Sequence, residues 1–184
     1  SFGANIGVRL PLFISKHVTY TGVEPRGTLR FKLNETSSIK SSFSVMNQFL
    51  HLIPSNTAAL PTDIWIPSGN IVRPQRSEQI ALGYFKNFKN NKWEASIEGY
   101  YKTMQNQVAF KEGIQLTEKT NIDSALVFGK GWSYGAEFFV KKDVGRFSGW
   151  LSYTLAWTNQ KFPDLNRGET FPFKYDRRHN LSLV

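Results

Sequence analysis

The chain has 184 residues, 40% of them hydrophobic and 15% aromatic, and a formal net charge of +9. It has no cysteine, which excludes a disulfide scaffold and any thiolate metal site. No run approaches the ~20 apolar residues of a spanning helix. The basic residues are scattered over turns, strand faces and one loop, which argues against nucleic acid as a partner.

Taken in chain order, alternation of apolar and polar residues marks the strands. Phe2, Ala4, Ile6, Val8 and Leu10 share a face opposite Gly3, Asn5, Gly7 and Arg9. After a loop over 11–24, a strand over 25–33 sets Leu29, Phe31 and Leu33 against Thr28, Arg30 and Lys32. It turns at Asn34 into a strand over 38–52, where Ile39, Phe43, Val45 and Phe49 oppose Lys40, Ser42, Ser44 and Gln48. Asn47 and Met46 fall on the wrong faces there. A long loop runs to about 77, and a strand over 78–86 turns through 87–92 into one starting at Trp93. In that strand Ala95, Ile97 and Tyr101 oppose Glu94, Ser96, Glu98 and Lys102. A long stretch over 108–130 precedes a strand over 131–142, with Trp132, Tyr134, Ala136, Phe138 and Val140 against Ser133, Gly135, Glu137 and Lys141. A tight turn at 143–146 leads to a strand over 147–158, in which Phe147, Leu151, Tyr153, Leu155 and Trp157 share a face and Trp150 is the exception. A third long loop reaches 177, and a last strand begins at Arg178. Both chain ends fall within alternating strand, so the chain reads as a piece of something longer.

Short turns thus alternate with long loops, the habit of an antiparallel up-and-down transmembrane β-barrel. A soluble sheet with one buried face gives the same alternation. Two features favour the membrane. Aromatic residues sit near strand ends, Trp93 and Phe147 beside short turns and Trp132 and Trp157 beside long loops, as in an interfacial girdle. Several strands also exceed the usual five or six residues of soluble sheets. Membrane lipid is therefore the expected partner of the apolar face. This reading predicts the loops over 11–24, 54–77, 108–130 and 160–177 on one rim, and the turns at Asn34, Asn90 and Gly145 on the other. It predicts Phe43, Ile97, Phe138, Leu151 and Leu155 facing outward, and Lys40, Glu98, Glu137 and Ser152 inward. It predicts finally that the first and last strands do not pair with each other. A complete small eight-stranded barrel, adhesive or structural in role, is the alternative, and closure between those two strands discriminates it.

The last third of the chain carries a family signature. Gly129-Lys130-Gly131-Trp132-Ser133-Tyr134-Gly135-Ala136-Glu137 is followed by Lys141-Lys142, then Gly149-Trp150-Leu151-Ser152-Tyr153-Thr154, then Tyr175-Asp176-Arg177-Arg178-His179. Earlier stretches agree: Tyr20-Thr21-Gly22-Val23-Glu24-Pro25-Arg26, Pro61-Thr62-Asp63-Ile64-Trp65-Ile66-Pro67, and Gly99-Tyr100-Tyr101-Lys102-Thr103-Met104. The chain resembles the barrel of TonB-dependent outer-membrane receptors, especially those of Bacteroidetes-type bacteria. The resemblance implies an all-β segment, about eight strands of a barrel of about 22. It implies the bacterial outer membrane and uptake of a nutrient the sequence does not name. A plug and a TonB-contacting segment, both outside this chain, are the implied partners. No cofactor is implied.

Among the singled-out residues, Gly131, Gly135 and Gly149 lie in strands, where glycine permits close approach or bending. Glu137 is placed to form lumen ion pairs that hold a plug, or simply to face water. Asp176 and Arg177 are placed to pin a long loop by a charge-assisted bond as it re-enters a strand. Asp63, Trp65, Arg167 and Tyr175 are the loop residues nominated for ligand contact. No catalytic set is visible. His17, His51 and His179 match no metal spacing, no serine sits in a nucleophile elbow, and Gly129-Lys130-Gly131 opens a strand rather than a helix.

Overall fold

A computed structural model describes residues 1–53, 63–113 and 122–184. The wall is one antiparallel sheet: β1 (Phe2–Arg9), β4 (Glu24–Lys32), β5 (Ser37–Gln48), β8 (Gln75–Phe88), β9 (Trp93–Phe110), β10 (Leu126–Lys142) and β11 (Gly149–Lys161) follow one another in sequence order. Two strands share the far edge of β11, the short β12 (Thr170–Pro172) above and β13 (His179–Leu183) below. Because each strand pairs with the next antiparallel, connections alternate between rims. The short turns, at 33–36, 89–92 and 143–148, occupy one rim and the long excursions the other. Among the described residues β1 pairs only with β4 and β13 only with β11, so the eight columns do not close.

The turns show why the chain reverses where it does. Asn34 Oδ1 accepts the Thr36 backbone N–H at 3.0 Å, a local loop that lets Leu33 N–H reach Ser37 C=O. The β8–β9 turn carries Lys89, Asn90 and Asn91 at positive φ, a region that asparagine tolerates well.

Register fixes the faces. Residues paired across a ladder share a face, and one continuous row runs Phe43, Ile80, Tyr101, Tyr134 and Trp157. Two same-face steps on, another runs Tyr84, Ile97, Phe138, Tyr153 and Leu181. On the other side of the sheet, one row runs Gly3, Arg30, Lys40, Gly83, Glu98, Glu137 and Thr154. The exposures run opposite to those of a soluble sheet. Ile80, Leu82, Ile97 and Phe138 are exposed, whereas Gln79, Ser96, Glu98 and Ser152 on the polar side are half-buried. Side chains crowd on the concave side of a curved wall, so the polar face is the inner one and the apolar face the outer one. Trp150, the misfit of its strand, points inward and lies against Phe139, ring centroids 6.3 Å apart.

The buried hydrophobic residues lie almost entirely above the wall, on the long-loop side. Residues 11–24 are not an irregular loop: β2 (Leu12–Ile14) and β3 (Thr19–Thr21) continue the β1–β4 hairpin in the same register. The expected strand over 38–52 ends at Gln48, and β6 (Leu50–Ile53) pairs instead with β7 (Ile64–Pro67). Residues 54–62, part of one expected long loop, lie outside the described residues. The strands expected over 93–107 and 131–142 are longer, because β9 and β10 rise together into a two-stranded extension. Val108 and Leu126 on one face pack with Ile53 and Val72, while Val127 on the other packs with Phe162 and Leu165. A bulge at Asn106, opposite Lys130, shifts the β9 register by one residue below this extension. The strand expected from Phe147 starts at Gly149, which leaves Phe147 in the turn.

Candidate functional site

The long-loop cap is held to the wall by carboxylates that accept backbone N–H groups where ladders part. The β4–β5 ladder ends at Arg26–Ser44. Beyond it the fully buried Glu24 takes over: its Oε1 accepts the Asn47 backbone N–H at 2.7 Å and the Asn47 side-chain amide at 3.2 Å. Arg9 stands 3.5 Å from the other carboxylate oxygen. The same arrangement recurs on β11. β13 pairs with residues 151–155 and β12 with residues 159–161, leaving a gap between them. Asp176 fills it: Oδ1 accepts the Thr158 N–H at 2.9 Å, and Oδ2 accepts from Arg178 at 3.1 Å. An unpaired backbone N–H in a half-buried wall is costly, and a carboxylate is the strongest available substitute acceptor. Asp176 thus bonds where the sequence suggested, but its cationic partner is Arg178; Arg177 is exposed and joins no ion pair among the described residues.

Of the four loop residues nominated for ligand contact, two meet. Tyr175 donates its hydroxyl to Asp63 Oδ2 at 2.6 Å across 112 residues of chain, and Lys174 lies 3.9 Å from Asp63 Oδ1. The hydrogen bond to Asp63 raises the Tyr175 pKa, since the phenol must stay protonated to make it. Trp65, on β7, is 62% exposed. Arg167 is exposed in a left-handed turn with φ 56° at its own position. It stands apart from the Asp63–Tyr175 bridge in the contacts the structure records.

On the inner wall, Glu137 has no basic neighbour across the ladder. Its partners are Glu98 on β9 and Thr154 on β11, and it joins no ion pair among the described residues. The like-charged pair Arg30–Lys40 lies in the same row, two strands away from Glu98. Between them Gly83 leaves the space into which Glu98 folds: a Cβ there would stand 2.7 Å from Glu98 Cγ. Lys40 is partly accommodated by the Phe85 ring, 3.8 Å below its Nζ.

On the outer wall, the expected girdle residues Trp93, Trp132 and Trp157 share the apolar face; Trp93 opens β9, but Trp132 and Trp157 lie inside β10 and β11, because those strands run further than expected. At the short-turn rim Lys142 sits over the Trp93 ring at 5.6 Å. Phe147 is 79% exposed in a turn rather than on a strand. Reading the sequence alone misses the stack in which Tyr134 lies between Tyr101 and Trp157, with centroids 6.4 Å and 5.4 Å away. Their place side by side in one row is visible only once register is known.

The structure brings one serine and one histidine together, His51 Nε2 and Ser68 Oγ at 2.9 Å. Both are fully buried, and among the described residues no carboxylate reaches His51 Nδ1. Burial lowers the His51 pKa.

No curated protein and no solved structure matches the chain. Residues 3–184 match the family described as TonB dependent receptor-like, beta-barrel, a family of receptors and transporters rather than enzymes. The antiparallel wall, open among the described residues and with its long loops on one rim, fits that description, and the chain belongs to this family.

Proposed function

We propose that this chain is eight strands of a larger barrel of about 22 strands, a Bacteroidetes-type receptor that takes up a nutrient across the outer membrane using the TonB complex. The observation that carries the reading is the exposure of the apolar face: Ile80, Leu82, Ile97 and Phe138 stand uncovered on one side of the wall, while the charged row of Arg30, Lys40, Glu98 and Glu137 lies on the other. The inner wall supports a lumen occupied by a plug. Arg30–Lys40 and Glu98–Glu137 are like-charged neighbours, each unfavourable in a bare sheet and each relieved by an occupant bearing the opposite charge. In this reading the Asp63–Tyr175 bridge steadies the outer loops, and Trp65 and Arg167 offer an exposed ring and a cation to the nutrient.

The absence of cysteine makes the test direct. Single-cysteine variants of the complete barrel in outer-membrane vesicles are exposed to a membrane-impermeant thiol reagent. Ile97→Cys and Phe138→Cys stay unlabelled until detergent is added, while Thr154→Cys is labelled once the lumen is opened by removing the plug. Labelling of Ile97→Cys in intact vesicles would remove the membrane reading. Loss of nutrient-dependent growth on deleting the gene, restored only when TonB is present, tests the uptake reading separately.

A further inference from the structure

The outer face of the wall is not uniform. Between β8 and β11 it is hollowed into a shallow apolar groove of about 760 Å³, because Gly99 and Ala136 stand where their neighbours carry Leu82, Ile97, Tyr101 and Tyr134. The groove is open at Gly99: a Cβ built there meets nothing nearer than the Gly135 carbonyl at 3.9 Å. Its upper end is bounded by the stacked rings of Tyr134 and Trp157.

Directly above those rings the same face carries two cations. Lys130 on β10 and Lys161 on β11 are paired across the ladder, two same-face steps above Tyr134–Trp157, with Trp132–Asn159 between. Both are exposed, and among the described residues neither has an acidic partner. Like charges directly opposite each other destabilise a sheet, so the pair implies an anion supplied from outside the chain. Arg178 adds a third cation lower down, at the level of the rings, 5.0 Å over Trp157, although Asp176 offsets part of its charge. Four residues of strand span about 14 Å, or roughly 10 Å in depth after the usual tilt. That is about the distance from the upper acyl chain to the phosphate of a membrane lipid.

We infer that the outer face of β9–β11 holds a phosphate-bearing lipid of the leaflet on the long-loop side, with its phosphate on Lys130 and Lys161 and an acyl chain along Gly99 and Ala136. The inference rests on the membrane reading above and adds a site to it. Neither feature alone points to this ligand. A bare groove accepts any chain, and a bare lysine pair accepts any anion; their vertical order on one face selects an anionic amphiphile.

The test uses the complete barrel, delipidated in nonionic detergent, with native mass spectrometry as readout. Dioleoyl phosphatidic acid is retained about tenfold better than dioleoyl phosphatidylcholine. In the double variant Lys130→Gln/Lys161→Gln that preference falls to within about twofold of unity, while Lys89→Gln on the opposite rim leaves it intact. Gly99→Leu, which fills the groove, lowers retention of both lipids. An undiminished preference in the double variant overturns the site, as does equal loss in Lys89→Gln. Displacement of the lipid by excess inorganic phosphate shows a free-anion site instead and overturns the lipid assignment. If neither lipid is retained by the unmodified barrel, the site is overturned while the membrane reading, decided by the cysteine labelling above, is untouched.

Discussion

The wall and the cap of this receptor barrel are built from one set of strands but obey opposite rules of burial. In the wall, large apolar residues such as Ile80 and Leu82 stand exposed, and no second layer covers them. In the cap, further along β9 and β10 and just past the end of β11, Val108, Leu126, Val127 and Phe162 are almost fully buried. The difference is one of solvent. Lipid is itself apolar, so the wall needs no core of its own, only a satisfied backbone. The cap stands in water and must bury its apolar groups against each other, which it does by laying the β6–β7 hairpin on one face of the β9–β10 extension and the loop after β11 on the other.

This contrast can be broken in several ways. The largest effect is expected in the cap. Phe162→Ala removes a fully buried ring and costs about 3–5 kcal/mol of local stability, read as faster amide exchange at Val127 and Leu165. Ile80→Ala in the wall, 58% exposed, costs less than about 1 kcal/mol, because lipid fills the space. Equal costs at the two positions would mean that the wall is covered by protein. Next in size is a charge on the outer face. Phe138→Arg costs about 2–4 kcal/mol in refolding into vesicles, whereas Glu137→Gln, one residue along and facing inward, is close to neutral.

The seam between the two regions is sharper ground. Asp176→Ala leaves the Thr158 N–H without its acceptor and is expected to cost about 1.5–3 kcal/mol in urea unfolding. Asp176→Asn keeps an acceptor oxygen and recovers most of that. If Asn is as damaging as Ala, the ion pair with Arg178 is the part that matters. The smallest effect is a pH dependence confined to the cap. Burial holds His51 neutral with its pKa below 6.5, so the unfolded hairpin binds more protons than the folded one. The stabilisation is complete above about pH 6.5 and declines as pH falls below it. Amide exchange in β6 and β7 should quicken on acidification while that in the wall does not, and His51→Gln should flatten the response.

The wall was legible in the sequence because a period of two, with lipid on one side and water on the other, leaves a continuous trace. The rims, the eight columns and the two faces all follow from that trace. The cap was not legible by the same means. Val108-Ala109-Phe110 and Ala125-Leu126-Val127 are covered on both faces, fully or in part, and read as apolar runs, without the alternation that marks a strand exposed to two media. The carboxylates at the seam were half legible. Asp176 stands out in its motif, although its cation lies one residue further on than expected. Glu24 gives no sign of itself, but its partner does: Asn47, the polar residue misplaced on an apolar face, is there because its backbone and side-chain amides both bond to Glu24. The Asp63–Tyr175 bridge joins two loops 112 residues apart, and nothing local could reveal it.

The bulge at Asn106 has a consequence for how such a barrel can change. A strand in the wall carries a phase, inside or outside, that each residue passes to the next. Insertion or loss of one residue below Asn106 would reverse that phase and turn a column of lysines and glutamates toward the lipid. Asn106 has already absorbed one such step, and its side chain secures the slack by bonding to the Pro74 carbonyl at 2.9 Å. Above that point the phase no longer constrains the wall, so the outer loops are free to lengthen, shorten and diversify their ligand surfaces while the membrane-facing part below keeps its count.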